Sequence, residues 1–154
     1  MIVRRAMVRD ISQLKHLRLA LFSKWGEIDP ADKIEKQWFL SSKHDSILKK
    51  MIGNQGTMLL VAEDGKKLIG YNLALKEIRQ PFLKPIGSIE ETYIVPEYRR
   101  MGIGKLFFEK TVEWFRRKKL KWSFVSTHSQ DTEAIQFWEK INYREFNKTF
   151  KMKL

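Results

Sequence analysis

The sequence predicts a mixed α/β (α+β) fold, a mostly antiparallel twisted sheet with helices on both faces. Three observations predict it. Apolar spacing switches between the helical and the extended period along the chain, in the order β-αα-β-β-β-α-β-α-β. Two strand-like runs, residues 58–63 and 67–77, flank Asp64-Gly65 and read as a hairpin, with Gly70 marking a bulge. No repeat, linker or low-complexity stretch interrupts the 154 residues, so a single domain, 1–154, is expected.

Each element has a local cause. Residues 2–7 form a short strand, after which Asp10 can cap a helix whose apolar stripe is Ile11, Leu14, Leu17, Leu21 and Trp25. Pro30 suits a helical first turn and opens a second helical region to about residue 52, broken near Ser41-Ser42. Pro81 and Pro85 mark a loop before a strand over 88–95. The helix expected over 102–119 turns Lys105, Glu109, Glu113 and Arg116 to water and Phe107, Phe108, Val112 and Phe115 inward. A strand over 122–127 follows. Ala134, Phe137, Trp138 and Ile141 then define a last helix, and residues 143–153 read as a last strand.

Composition narrows function. Apolar and charged shares of 43% and 31% describe a globular chain rather than a disordered one. With no cysteine, disulfides, thiolate metal sites and a cysteine nucleophile are excluded. The start, Met1-Ile2-Val3-Arg4-Arg5, lacks the apolar core of a signal peptide, and no run approaches the ~20 apolar residues of a membrane span. A cytoplasmic protein without membrane association, monomeric or homodimeric, is the expectation. A formal charge of +12 favours anionic partners, with its densest patch at Arg116-Arg117-Lys118-Lys119-Leu120-Lys121. The three histidines lie apart without ligand spacing, so no metal site is expected.

The most informative segment is Arg99-Arg100-Met101-Gly102-Ile103-Gly104-Lys105, between a strand and a helix. Its cations, its two small residues and the open N–H groups of a helix start suit a phosphate-bearing ligand. It is neither a dinucleotide fingerprint, because Phe107 stands where a third glycine is needed, nor a P-loop, because Leu106 follows the lysine.

The chain resembles the GCN5-related N-acetyltransferase (GNAT) family, whose cofactor motif (Gln/Arg)-x-x-Gly-x-(Gly/Ala) is matched at every fixed position by Arg99 to Gly104. The lead-in Ile94-Val95-Pro96-Glu97-Tyr98 and a second motif over residues 131–143 complete the resemblance, which extends over nearly the whole chain. It implies a sheet of about six to seven strands and acetyl transfer from acetyl-CoA to a primary amine by direct attack in a ternary complex. It also implies a pyrophosphate held by the backbone of residues 100–105, a pantetheine arm beside residues 93–95, and a thioester carbonyl polarised near Ile94.

Residue by residue, the cofactor set is Ile94, Val95, Arg99, Arg100, Met101, Gly102, Ile103, Gly104, Lys105, Asp131 and Trp138. Glu90 stands where many relatives carry a base, with Glu91 the second candidate; strand alternation groups Glu90 with Thr92 and Ile94, and Glu91 with Tyr93 and Val95. Trp138 replaces the tyrosine that often protonates the leaving thiolate, and an indole cannot serve as a titratable acid. Asn142 replaces a glycine and tolerates a left-handed helix end. Trp25, Glu27, Asp29 and His128 are the candidate acceptor contacts; Trp25 and Trp38 flank the loop between the first helices, and the other three tryptophans read as core.

The alternative is a non-catalytic or RNA- or ribosome-associated member of the same fold that uses its basic surface. The motif pattern does not indicate nucleic acid, because the aromatics alternate with core positions rather than line a basic strand. The identity of the amine lies in the variable loops.

Overall fold

The computed structural model describes residues 1–79 and 84–152. The elements run β1 (Ile2–Arg5), α1 (Ile11–Ile28), α2 (Lys36–Leu40), α3 (Ser42–Gly53), β2 (Thr57–Asp64), β3 (Lys67–Glu77), β4 (Ile86–Ile94), α4 (Ile103–Arg117), β5 (Ser123–Val125) and α5 (Thr132–Lys140). The five strands form one sheet in chain order, antiparallel except for β4 and β5.

Strand alternation sends side chains to two cores. On one face Leu59, Val61, Leu68, Tyr71 and Leu73 meet the α1 stripe of Ile11, Leu14, Leu17 and Leu21, with Leu48 of α3. On the other, Met58, Leu60, Ile69, Ala74 and Ile89 meet Ile103, Phe107, Trp114 and Phe115 of α4 and Trp138 of α5. The expected mixed fold with helices on both faces is therefore present, with the hairpin at Asp64-Gly65 and the break at Ser41. The bulge pairs Ala62 with Gly70 and Glu63 with Leu68, so Ile69 is the extra residue.

Three expectations are corrected. The sheet has five described strands rather than six or seven, because residues 143–152 run on without a backbone ladder; of the strand expected there, residue 153 lies outside the described residues, as does Pro81 of the expected loop. Asp10 does not cap α1 through its side chain. It ends a 3-10 turn, accepts the Met7 N–H at 2.7 Å, and takes two bonds from Arg4, whose Nε also reaches Glu63. Burial raises the Asp10 carboxyl, but those donors outweigh it and the net shift is downward. Trp122, read as core, is 72% exposed.

A buried polar chain crosses the first core. Arg18 interrupts the apolar stripe of α1 and meets Glu91 of β4 with two bonds, Nε to Oε2 at 2.8 Å and Nη2 to Oε1 at 2.5 Å. The Tyr71 hydroxyl donates to Oε2 at 2.7 Å. Arg18 Nη1 lies 2.5 Å from Nε2 of His44, whose Nδ1 is 2.7 Å from the Phe39 carbonyl. A guanidinium only donates, so Nε2 must accept and Nδ1 carries the proton. Burial, followed by the Arg18 charge, holds the His44 pKa below its ordinary value, while the Phe39 carbonyl works against the shift.

Neutral His44 has a consequence for stability. As pH falls below about 6.5, the unfolded chain takes up a proton that folded His44 refuses. The contribution is full above that pH and is lost as pH falls toward the lowered folded pKa. Urea unfolding at pH 7.5 and pH 5.5 should show a smaller loss for His44→Gln than for the parent chain; equal losses would refute the assignment.

Candidate active site

The site lies where β4 and β5 part. Their parallel pairing covers only Gly87–Ile89 against Ser123–Val125. Beyond Ile89, β4 stays paired with β3 on its inner side, and the Val95 N–H donates to Ile69 at 2.9 Å. Its outer edge from Glu90 to Ile94 has no strand partner among the described residues. Gly70 makes the inner pairing this close, since a Cβ there would fall 2.8 Å from the Tyr93 carbonyl oxygen.

A second bulge sits at the fork. Leu73 pairs with Glu91 and Ala74 with Ile89, so Glu90 is the unmatched residue. Glu91 joins Tyr93 and Val95 on the α1 face, as alternation predicts, where Arg18 and Tyr71 occupy its carboxylate. Both Glu91 oxygens are engaged within the core. Glu90 is exposed, and its carboxylate accepts from the Ser88 hydroxyl. Only Glu90 of the two candidates is open to a reacting group.

The open edge leads into the Arg99–Lys105 segment. Arg99 is turned inward: Nε donates to the Ile94 carbonyl at 3.1 Å and Nη1 to Glu133 at 3.0 Å, which fastens the end of β4 to α5. Arg100, at φ 61°, and Gly102, at φ 84°, both take left-handed conformations that wind the chain into α4. No side chain among the described residues caps this helix start, which leaves its first N–H groups without an intrahelical partner. Met101 and Lys105 are exposed and Ile103 is buried. Gly104 also lets α4 pack closely on α5, because a Cβ there would lie 3.0 Å from the Phe137 ring.

The second motif holds the other wall. Asp131 is buried and caps α5 through the Ala134 N–H at 3.3 Å, while its other oxygen takes Lys24 of α1 at 2.6 Å. Both oxygens are committed within the protein. Trp138 is a core residue, edge-on to Phe137 and Tyr143. The Tyr143 hydroxyl is tied to Ser123 at 2.6 Å, and burial raises its pKa. Asn142, at φ 72°, ends the helix in the left-handed form that its position predicts.

The acceptor candidates divide. Trp25 and His128 face each other at 5.9 Å, and His128 Nε2 is 3.0 Å from Asp32. Together with the Lys24–Asp131 pair, these contacts dock the end of α1 and its following turn on the loop before α5. Asp29 caps that turn through the Ala31 N–H and pairs with Lys151. Glu27 is exposed, and Trp38 stacks on His44 instead of joining this wall. Sequence reasoning missed Arg18, Ser88, Lys24 and Asp32. Only Arg18 carried a signal, a cation at helical spacing within the stripe of Leu14, Leu17 and Leu21.

The profile of the Acetyltransferase (GNAT) family matches residues 13–143. A probable N-acetyltransferase, HLS1, of Arabidopsis thaliana is 23% identical over 99 residues, 64% of this chain and only 25% of that protein's length. Among solved structures, a tetramutant of the BH1408 protein from Bacillus halodurans superposes with a TM-score of 0.86 at 18% identity, covering 100% of both chains. AAC(6')-Iy in complex with the bisubstrate analogue CoA-S-monomethyl-acetylneamine superposes with a TM-score of 0.75 at 15% identity, covering 99% of this chain and 97% of that one. These structural likenesses concern the fold, and the family match spans most of the sequence. A forked sheet, an uncapped glycine-bearing helix start and that match lead to one conclusion: the chain belongs to the GNAT acetyltransferase family.

Proposed function

We propose that this protein transfers the acetyl group of acetyl-CoA to a primary amine by direct attack with both substrates bound. The observation that carries the reading is the continuous path from the unpaired edge of β4 to the uncapped start of α4. A diphosphate meets N–H groups without an intrahelical partner and the positive end of a helix at that start. An amide-bearing arm can add to residues 93–95 as a further strand would. AAC(6')-Iy, which shares the fold, binds a CoA-linked analogue.

The thioester supplies an activated acyl group; the protein must place the amine, take its proton and steady the carbonyl oxygen. The backbone N–H near Ile94 is the donor assigned to that oxygen. Glu90 is the base, acting directly or through one water, with the Ser88 hydroxyl holding its carboxylate in place. The nitrogen attacks the carbonyl carbon, the C–S bond breaks, and the amine's proton passes to Glu90. With Trp138 unable to donate a titratable proton and Tyr143 bound to Ser123, the sulfur leaves as thiolate, whose pKa of about 8.5 makes an acid dispensable. Trp25, His128 and the neighbouring Asp29 and Glu27 form the acceptor side. Polyamines, aminoglycosides and protein amino groups are the classes to compare.

Release of free CoA thiol across a panel of such amines tests the reading, and calorimetry showing no acetyl-CoA binding would overturn it. Glu90→Gln should lower kcat by roughly a hundredfold or more while acetyl-CoA still binds. Its pH–rate profile should also lose the acidic limb; a variant that keeps the parent limb excludes Glu90 as base. Gly102→Ala strains a left-handed position by about 1–2 kcal/mol. Its affinity for acetyl-CoA should fall about tenfold, measured by the same calorimetry; unchanged affinity would separate this turn from the cofactor.

A further inference from the structure

The cation excess that acetyl transfer leaves unused is densest in sequence between α4 and β5. Residues 116–121 hold five cations and no carboxylate, and Trp122 follows at once. The Trp122 carbonyl accepts the Gly87 N–H at 2.9 Å, so the extended chain of β5 begins there. Alternation then sets Trp122 and Phe124 on one face of the strand, opposite Ser123 and Val125, which turn to Tyr143 and the α4 core. The chain after α5 returns across this face. Phe146 packs edge-on to Phe124 at 5.3 Å, and the Arg79 guanidinium lies over the Phe124 ring at 4.9 Å.

Three rings of this region are open to solvent. Trp122, Phe146 and Phe150 are 72%, 78% and 88% exposed, among the most exposed large apolar side chains of the described residues. Arg144, Lys148 and Lys151 are interspersed with them; Lys148 pairs with Glu145 and Lys151 with Asp29, which leaves Arg144 and the cations of residues 116–121 as the charges for phosphate. The expectation that aromatics alternate with core positions fails here, where they line a basic extended segment. Charge selects the occupant. A second copy would bring its own basic end against this one in a chain of formal charge +12. A bilayer is served by a continuous apolar stripe, whereas these rings stand on a strand and an extended segment between cations. Phe124 is half-buried between Arg79 and Phe146 and anchors the face, while Trp122 and Phe146 offer the open rings.

We propose that the Trp122–Phe124–Phe146 face and its flanking cations bind single-stranded nucleic acid, with bases stacked on the rings and phosphates on the lysines and arginines. This surface is independent of the acetyl-transfer reading and is tested without acetyl-CoA. A fluorescein-labelled oligouridylate of about twelve nucleotides is titrated against its duplex form at stepped salt, by anisotropy. Binding should weaken as salt rises, favour the single strand, and quench tryptophan emission. Trp122→Ala and Phe146→Ala leave the net charge unchanged, yet each should weaken single-strand binding about fivefold or more. Lys119→Gln with Lys121→Gln should lower the salt slope by about 1.4 units. An unchanged urea-unfolding midpoint in all variants shows that they fold. The proposal is overturned if the aromatic variants bind like the parent, if duplex binds as tightly as single strand, or if anionic vesicles are bound and the oligomer is not. Self-association that the same aromatic substitutions abolish, without oligomer binding, would assign the face to a second copy instead.

Discussion

The structure depends on one ion pair, Arg18 with Glu91. Neither charge could lie in that core alone, because an unpaired buried ion is strongly destabilising. Together, with Tyr71 and His44 satisfying the remaining polar atoms, they fix α1, α3, β3 and β4 relative to one another. Burial lowers the tendency of the Arg18 guanidinium to hold its proton, but Glu91 outweighs it and the net shift is upward. Burial also pushes the Tyr71 hydroxyl well up, so it stays a donor. The pair acts on the site through geometry. Once residue 91 is anchored inward, the bulge must leave residue 90 outward at the fork.

The fork is a local failure of pairing rather than a carved cavity. Two bulges, at Ile69 and Glu90, bend neighbouring strands, and β5 leaves β4 after three residues. Arg99 then bridges β4 to α5, and Lys24 bridges α1 to the same helix start. The walls are therefore tied by side chains where the backbone ladder has stopped. That division leaves the outer edge of β4 to a ligand while the fold on either side stays continuous.

Much of this was legible in the residues. The Gly102 turn, the order of elements as far as α5 and the split of Glu90 from Glu91 follow from spacing and alternation, which are local properties. What was illegible depends on long-range partners. Nothing near Gly104 in sequence announces Phe137, and nothing near Asp131 announces Lys24. A residue type suited to a ligand is equally suited to an intramolecular partner, and in Arg99 and Asp131 the intramolecular partner is present. The tail after α5 has strand-like alternation, but strand pairing needs a neighbour in register, and periodicity alone cannot supply one. Trp122 was misread for a related reason: a large apolar side chain is evidence for burial only where something covers it.

The unpaired stretch of β4 has a further meaning for the protein as a material. An edge with open N–H and C=O groups is a template for any extended chain, including the same stretch of another molecule. Elsewhere the sheet guards itself with cations such as Arg5 and with the cover of α4. At the fork, the ligand proposed to pair with this edge would also shield it, so the loaded protein would keep longer in solution than the empty one, with the surplus positive charge holding empty copies apart.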